Sequence, residues 1–300
     1  MNDFELNCSY YIVFKNQECI QSSLPDNVYY HQHHLVFENQ KPIEIQVIFL
    51  LDDYIDFSIT YTFEKRTQVN IIETKVLKNH AFLHKTMNLK EQAIVHIFNE
   101  NNSNHDQSKM KEDIYLQRDA LCHSGYAELS NSSIEGEYSY YLDGENADAQ
   151  VRMAILSKEN EQKSFKVLIQ HNQPHTYGQM DNYGVVKDKG HLTIDGIGTI
   201  TKGQHGSSSH QTNKIMVFDS ECIASANPYL FIDEFDVKAS HAAGVGKMDE
   251  EHLYYLQSRG LTKKQAMQLI TYGYLKPVIE VIDNEMLKEH FEDVLSKVGA

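Results

Sequence analysis

IDFSITYTF, residues 55–63, sets the fold: Ile55, Phe57, Ile59, Tyr61 and Phe63 alternate with Asp56, Ser58, Thr60 and Thr62. A period of two belongs to strands, whose successive side chains point to opposite faces, so the segment predicts a β-strand with one buried face. Working outward, short strand-like runs recur at Ile43 to Leu51, Val69 to Val76, Ala93 to Phe98, Val151 to Leu156, Phe165 to Gln170, Leu192 to Thr201, Lys214 to Phe218 and Tyr229 to Ile232. Gly, Asn, Asp and Ser clusters bound them where helix caps would otherwise stand. The body from about Ser9 to Val245 is therefore read as at least nine strands. One polar run, NENNSNHDQSKMK at 99–111, has almost no apolar content and is expected to be an exposed loop.

Within the body, Val185, Ile200, Ile215, Leu230 and Val245 recur every 15 residues, as strands repeated in a stack would. A sandwich, a barrel and a parallel β-helix all accommodate such a pattern. Three hundred residues with 41% hydrophobic and 23% charged content leave room for a real core and exclude disulfide miniatures and wholesale disorder. Twenty-seven basic against 42 acidic residues give a net charge of −15, a field that repels nucleic acid. The opening MNDFELNCSYYIVFKN lacks the basic start and apolar core of a secretory signal. Ile43 to Leu51, the longest apolar stretch, contains Glu44 and Gln46 and falls far short of the roughly 20 residues that cross a bilayer. A cytoplasmic protein with no membrane segment is expected. Cys8, Cys19, Cys122 and Cys222 form no C-x-x-C pair and are read as free thiols.

From residue 248 the periodicity moves toward 3.6, so the organisation is a strand body over 1–247 and a helical subdomain over 248–300. Asp249 caps a helix through Leu253 and Leu256, and Gly260 stands where a left-handed terminus is wanted. Thr262 with Gln265 is a capping box opening a second helix through Ala266, Leu269 and Ile270, which Gly273 and Pro277 interrupt or end. Leu287, Phe291, Val294, Leu295 and Val298 form one apolar stripe of a third helix.

The chemistry-bearing residues are sparse. His31, His33 and His34 in HQHH put two imidazoles on one face if the run is a strand, but no carboxylate or cysteine motif accompanies them, so they read as surface or packing histidines. His171 and His175 in HNQPHT are four apart, yet Pro174 prevents a helical pair. Asp195-Gly196-Ile197-Gly198 completes neither a dinucleotide fingerprint nor a P-loop. Cys222 and His241 are the pair with iron-ligand chemistry, which turns of about 20 residues in a β-helix would set on neighbouring turns about 4.8 Å apart, although chemistry alone favours a buried inert cysteine and a hydrogen-bonded histidine. Asp233, Glu234 and Asp236 are the carboxylates that a β-helix carbohydrate-active enzyme would use, a reading that the absence of Trp weakens.

Around that pair, ANPYLFIDEFDVKASHAAGVGKMDEEHLYYLQSRGL (226–261) and TKKQAMQLITYGYLKPVIEVI (262–282) resemble the SufB/SufD family of iron–sulfur cluster assembly scaffolds, SufD more than SufB. HNQPHT (171–176), NYGVVKDKGHLTIDGIGTI (182–200) and QTNKIMVFD (211–219) continue the pattern in the same order, while 1–150 matches loosely. The resemblance implies a right-handed parallel β-helix with a C-terminal helical subdomain, in a shortened member without the family's N-terminal helical region. It implies a non-enzymatic scaffold subunit acting with a SufB-like subunit and SufC-like ATPases, holding no permanent cofactor and a transient Fe–S cluster or iron at the subunit interface. His241 then falls on the histidine implicated in cluster assembly, and Cys222 on the essential cysteine of SufB-like members. Ala242 stands where those members carry a glutamate, so their ligand set is incomplete here. A SufB-like homodimer using Cys222 is the alternative. Leu253, Leu256, Leu269, Ile270 and Leu275 are the residues expected to meet the ATPase subunit.

Overall fold

The computed structural model describes residues 6–278 and 285–296. Two antiparallel hairpins come first: β1 (Tyr10–Lys15) with β2 (Glu18–Ser23), and β3 (Val28–His31) with β4 (His34–Phe37). The chain then winds through β5 (Ile43–Leu51), β6 (Asp56–Phe63), β7 (Gln68–Leu77), β8 (Phe82–Leu89), β9 (Ile94–Asn101), β10 (Asn104–Leu116), β11 (Leu121–Glu128) and β12 (Asn131–Leu142). It continues through β13 (Asp148–Ser157), β14 (Gln162–His171), β15 (Tyr177–Val186), β16 (His191–Ile200), β17 (Ser208–Val217), β18 (Ile223–Ile232) and β19 (Lys238–Lys247). From β5 onward, odd strands stack in parallel in one sheet and even strands from β4 stack in parallel in the other, the order running β19 to β5 and then β1 and β2 in the first, β18 to β4 and then β3 in the second. The result is a parallel β-solenoid of about 7 turns.

Each strand buries alternate residues between the sheets. Phe57, Ile59, Tyr61 and Phe63 of β6 point inward and are sealed, as their period requires. Aromatic rings stack along the axis: Phe37 lies on Phe63 at 4.7 Å, and Phe14 on Phe49 at 5.4 Å. The 15-residue recurrence corresponds to half a turn. Val185, Ile200, Ile215, Leu230 and Val245 fall on β15 to β19 in succession, alternating between the sheets. A full turn is about twice that, as Asn182 bonding Asn213 across 31 residues shows.

The corners explain why the turns stack so regularly. Arg66, Gln92, Asp119, Asn146, His175 and Gly206 all have positive φ, and each donates its backbone N–H to a carbonyl of the next turn, those of Glu91, Arg118, Glu145, Pro174, His205 and Asp236. A left-handed conformation disfavours non-glycine residues, yet here it aims a backbone donor along the stack. At the opposite corner Tyr54 and His80 do the same toward Asn79 and Gln107.

Three sequence expectations are corrected. Residues 99–111 are no loop: they finish β9 and form most of β10. Their polar side chains pair inside the stack, where Asn99 accepts from Lys75 Nζ at 2.9 Å, Asn101 Nδ2 donates to Glu128 at 3.1 Å, and Glu112 just beyond meets Lys75 at 2.9 Å. Buried partners allow a strand where composition alone predicts water. HQHH does not align His31 with His33, because Gln32 and His33 have positive φ and form the β3–β4 connection. His33 instead hydrogen-bonds the Gln17 carbonyl at 3.0 Å and packs edge-on to Phe57. Finally, Cys222 and His241 do not sit on neighbouring turns: Cys222 precedes β18 and His241 lies on β19, strands of opposite sheets half a turn apart.

Three helices follow: α1 (Glu250–Ser258), α2 (Lys263–Leu275) and, after a 3₁₀ turn at Lys276–Val278, α3 (Glu285–Ser296). The caps are those the sequence predicts. Asp249 accepts from the Glu251 N–H, Gly260 has φ +97°, and Thr262 with Gln265 closes a capping box. α2 runs through Gly273 and ends before Pro277. Its Leu275, with Val278, is buried against Ile72, Phe98, Ala127, Ala154, Leu156 and Val185 on the outer face of the β5–β19 sheet. Of the third-helix stripe, Val294 packs on the same cluster, while the side chains of Leu287, Phe291, Leu295 and Val298 lie outside the described residues.

Candidate functional site

The two ends of the solenoid differ. At the start the sheets end on β2 and β3, short antiparallel edge strands of six and four residues, the first paired to β1 through a bulge. At the far end β18 pairs only with β16, and β19 only with β17, so each presents one free edge of N–H and C=O groups among the described residues. Unpaired strand edges are templates for another chain, and this pair is neither short nor bulged. Ile223, Tyr229, Phe231, Ile232 and Val245 are exposed along it, and Phe235 projects fully into solvent in the connection between the two strands. Exposed apolar side chains therefore accompany two free strand edges at this end.

His241 sits in the middle of β19, opposite Gln211 of β17. Gln211 in turn stands over Met180 and Val151, which are buried and inward. His241 therefore occupies an inward-facing row at the mouth of the stack, exposed because no further turn covers it. The turn beneath it is polar inside, with Ser207, Ser209, Gln211 and Asn213 buried and Asn213 accepting from Asn182 Nδ2 of the turn below at 2.8 Å. Gln211 Nε2 donates to the Tyr229 carbonyl at 2.9 Å, tying β17 to β18 across the interior. Gly196 and Gly198 of β16 face these groups: a Cβ on Gly196 would stand 2.6 Å from both Gln211 Oε1 and Asn213 Nδ2. Asp195-Gly196-Ile197-Gly198 is thus an internal packing feature, with no role as a phosphate loop. The continuous polarity of SSHQTN, 208–213, is the sequence signal that could have revealed the polar interior.

Cys222 lies in the turn before β18, its N–H bonded to the Asp219 carbonyl at 3.3 Å and its Sγ 3.5 Å from the Asp188 carbonyl. Burial, with Asp219 and Asp188 nearby, pushes the thiol above its ordinary value, which favours the thiol over the thiolate that a nucleophile or metal ligand needs. His171 is sealed in the core against Thr176 Oγ1 at 2.7 Å, and burial pushes its imidazole down to about 4. It is a neutral core group. The carboxylates proposed for sugar chemistry shape a corner instead: Glu234 accepts from the N–H groups of Phe235 and Gly203, both at 2.8 Å, and these bonds hold its carboxyl below the ordinary range. Among the described residues no three His, Cys, Asp or Glu side chains converge as metal ligands.

The helical residues divide. Leu269 is exposed, Leu253, Leu256 and Ile270 are half-buried, and α1 buries none of its side chains. Leu275 is fully buried on the chain's own sheet, so it anchors α2. No helix is long and apolar enough to cross a membrane among the described residues.

The fold is thus a parallel β-solenoid that ends in short antiparallel hairpins on one side and in two long edge strands on the other, with a helical appendage. The family model of the SUF system FeS cluster assembly SufBD core domain matches residues 58–274, and the chain belongs to this family. Within it the chain is SufD-like: it is 32% identical over 163 residues to the iron-sulfur cluster assembly protein SufD of Bacillus subtilis, covering 54% of this chain and 37% of that protein. It is 27% identical over 187 residues to the SufD of Escherichia coli, covering 62% and 44%. The SufB of Bacillus subtilis is 25% identical over 148 residues, covering 49% and 32%. The chain thus spans less than half the length of these relatives.

Proposed function

We propose that this chain is a non-catalytic scaffold subunit for iron–sulfur cluster assembly, joined through its open end to a SufB-like subunit and through its helices to SufC-like ATPases. The observation that carries this reading is the position of His241, inward on a terminal strand with one free edge, at an end where Ile223, Tyr229, Phe231, Ile232 and Val245 are exposed. A second subunit aligned on β18 and β19 would cover that imidazole and supply the remaining ligands. A neutral imidazole offers a nitrogen donor suited to iron, and sulfide completes the cargo. The cluster is held transiently at the junction, and ATP chemistry belongs to the partner on α1 and α2, where Leu253, Leu256, Leu269 and Ile270 are accessible.

Co-expression with a SufB-like and a SufC-like protein tests this. A complex that survives His241→Ala while cluster maturation is lost is the expected result, and Phe231→Asp on the rim should abolish the complex itself. Normal maturation in His241→Ala, or no complex with the unaltered chain, overturns the reading.

A further inference from the structure

A continuous hydrogen-bonded chain crosses the outer face of the β5–β19 sheet and ends on the last helix. The backbone N–H of Asn7 donates to Gln46 Oε1 at 2.8 Å, and Gln46 Nε2 donates to Thr74 Oγ1 at 3.4 Å. Thr74 Oγ1 donates to Glu100 Oε1 at 2.8 Å, and His290 Nε2 stands 2.9 Å from Glu100 Oε2. The roles are forced. A hydroxyl has one proton, so Thr74 gives it to the carboxylate and receives from the Gln46 amide, which leaves the amide oxygen for Asn7. The Glu100 carboxylate accepts at Oε2 from the His290 ring. Gln46, Thr74 and Glu100, on β5, β7 and β9, are all buried.

The same two chain ends share one apolar patch. Cys8, next to Asn7, and Val294 of α3 both pack on the cluster of Ile72, Phe98 and Ala127. The His290 ring lies edge-on to Phe98, with centroids 5.4 Å apart. Polar chain and apolar patch thus join residues that are nearly the whole sequence apart.

We propose that α3 is a latch whose seating is coupled through Gln46, Thr74 and Glu100 to the seating of the N-terminal segment around Asn7, so that release of either end loosens the other. A terminal helix resting on a sheet belongs to the low-stability part of a fold and opens before the core. Each opening leaves a buried polar neighbour with one partner fewer, and the relay passes that loss along the row. A protein that lifts α3 therefore also frees residues 6–9. The coupling is a property of this fold and is independent of any cluster chemistry.

Hydrogen–deuterium exchange on the full chain tests it. Thr74→Val keeps the side-chain shape and cuts the relay in the middle, touching neither end. About fivefold faster exchange is expected in both 6–14 and 285–296, with β13 to β17 unchanged, the factor corresponding to one lost hydrogen bond. His290→Ala leaves β7 intact and should accelerate exchange in 6–14 by a similar factor; if Thr74→Val disturbs β13 to β17 as well, this variant alone decides. Acceleration confined to 285–296 in His290→Ala, or confined to β7 in Thr74→Val, overturns the proposal.

Discussion

Lys85→Met should destabilise the solenoid more than any other single charge removal near its middle. Lys85 Nζ is sealed between the sheets, 2.7 Å from Glu73 Oε2 and 3.1 Å from Glu112 Oε2, and 5.8 Å from the Tyr61 ring centroid. Lys75 Nζ completes the quartet at 2.9 Å from Glu112 and 3.5 Å from Glu73. Methionine preserves the stem and removes the charge, leaving two buried carboxylates to share one ammonium. Removing one partner of a buried pair costs about 3–5 kcal/mol, because the remaining charge keeps its desolvation penalty. Adding Glu73→Gln restores neutrality, so the double variant should recover about 2 kcal/mol of that loss, a coupling energy readable from urea denaturation in a double-mutant cycle. The pH dependence follows the same logic. Burial raises the Glu112 carboxyl, but Lys75 and Lys85 outweigh it and hold the group below its ordinary 4.5. A folded value below the unfolded one contributes stability that is full above pH 4.5 and drains as pH falls below it. In Lys85→Met the Glu112 carboxyl is less depressed, so the drain below pH 4.5 should be shallower. A loss under about 1 kcal/mol for the single variant, or strict additivity of the pair, would refute the argument.

Other expectations follow from particular contacts. His171, neutral in the fold with its value down to about 4 from an ordinary 6.5, contributes stability that is full above pH 6.5 and lost as pH falls toward 4. That contribution is roughly 3 kcal/mol, and His171→Gln should flatten the stability–pH curve across this window; an unchanged slope would sink the assignment. Gly190→Ala places a methyl 2.7 Å from the Ser157 carbonyl oxygen, a backbone atom that cannot swing away, and should cost about 1–3 kcal/mol in chemical denaturation. Thr262→Ala removes both the acceptor for the Gln265 N–H and half of the capping box, for a loss of about 1 kcal/mol in α2, visible as faster exchange there and nowhere in the strands. Cys122 is buried and its thiol is pushed up to about 12, so it should resist alkylation at pH 8 until the chain is unfolded.

The strands were legible wherever apolar and polar residues alternated, as in β6, because one face of each meets the core. The reading failed at β10, where the inward Glu112 is made burial-competent by Lys75, 37 residues away in sequence. No local window contains Lys75 and Glu112 together. The helical tail was legible because caps are local, with Asp249, Gly260 and Thr262 each acting within a few residues. HQHH shows the reverse: its alternation is local, but the turn conformation of Gln32 and His33 overrides it, and the histidines are the surface and packing groups that the sequence suggests. His241 could be singled out from family likeness, whereas its place at the mouth of the stack depends on β19 being the last strand of its sheet. Nothing in the spacing of Cys222 and His241 discloses that half a turn is about 15 residues and moves the chain to the other sheet.

The column of left-handed corners from Arg66 to Gly206 also sets rules for change in length. An insertion of a few residues beside such a corner would carry its N–H out of line with the carbonyl above and break the column at that storey. A whole extra storey would bring its own corner and leave every other one in place. Natural variants of this chain should therefore differ in size by complete storeys or by bulges away from that column, and engineered lengthening should succeed under the same restriction.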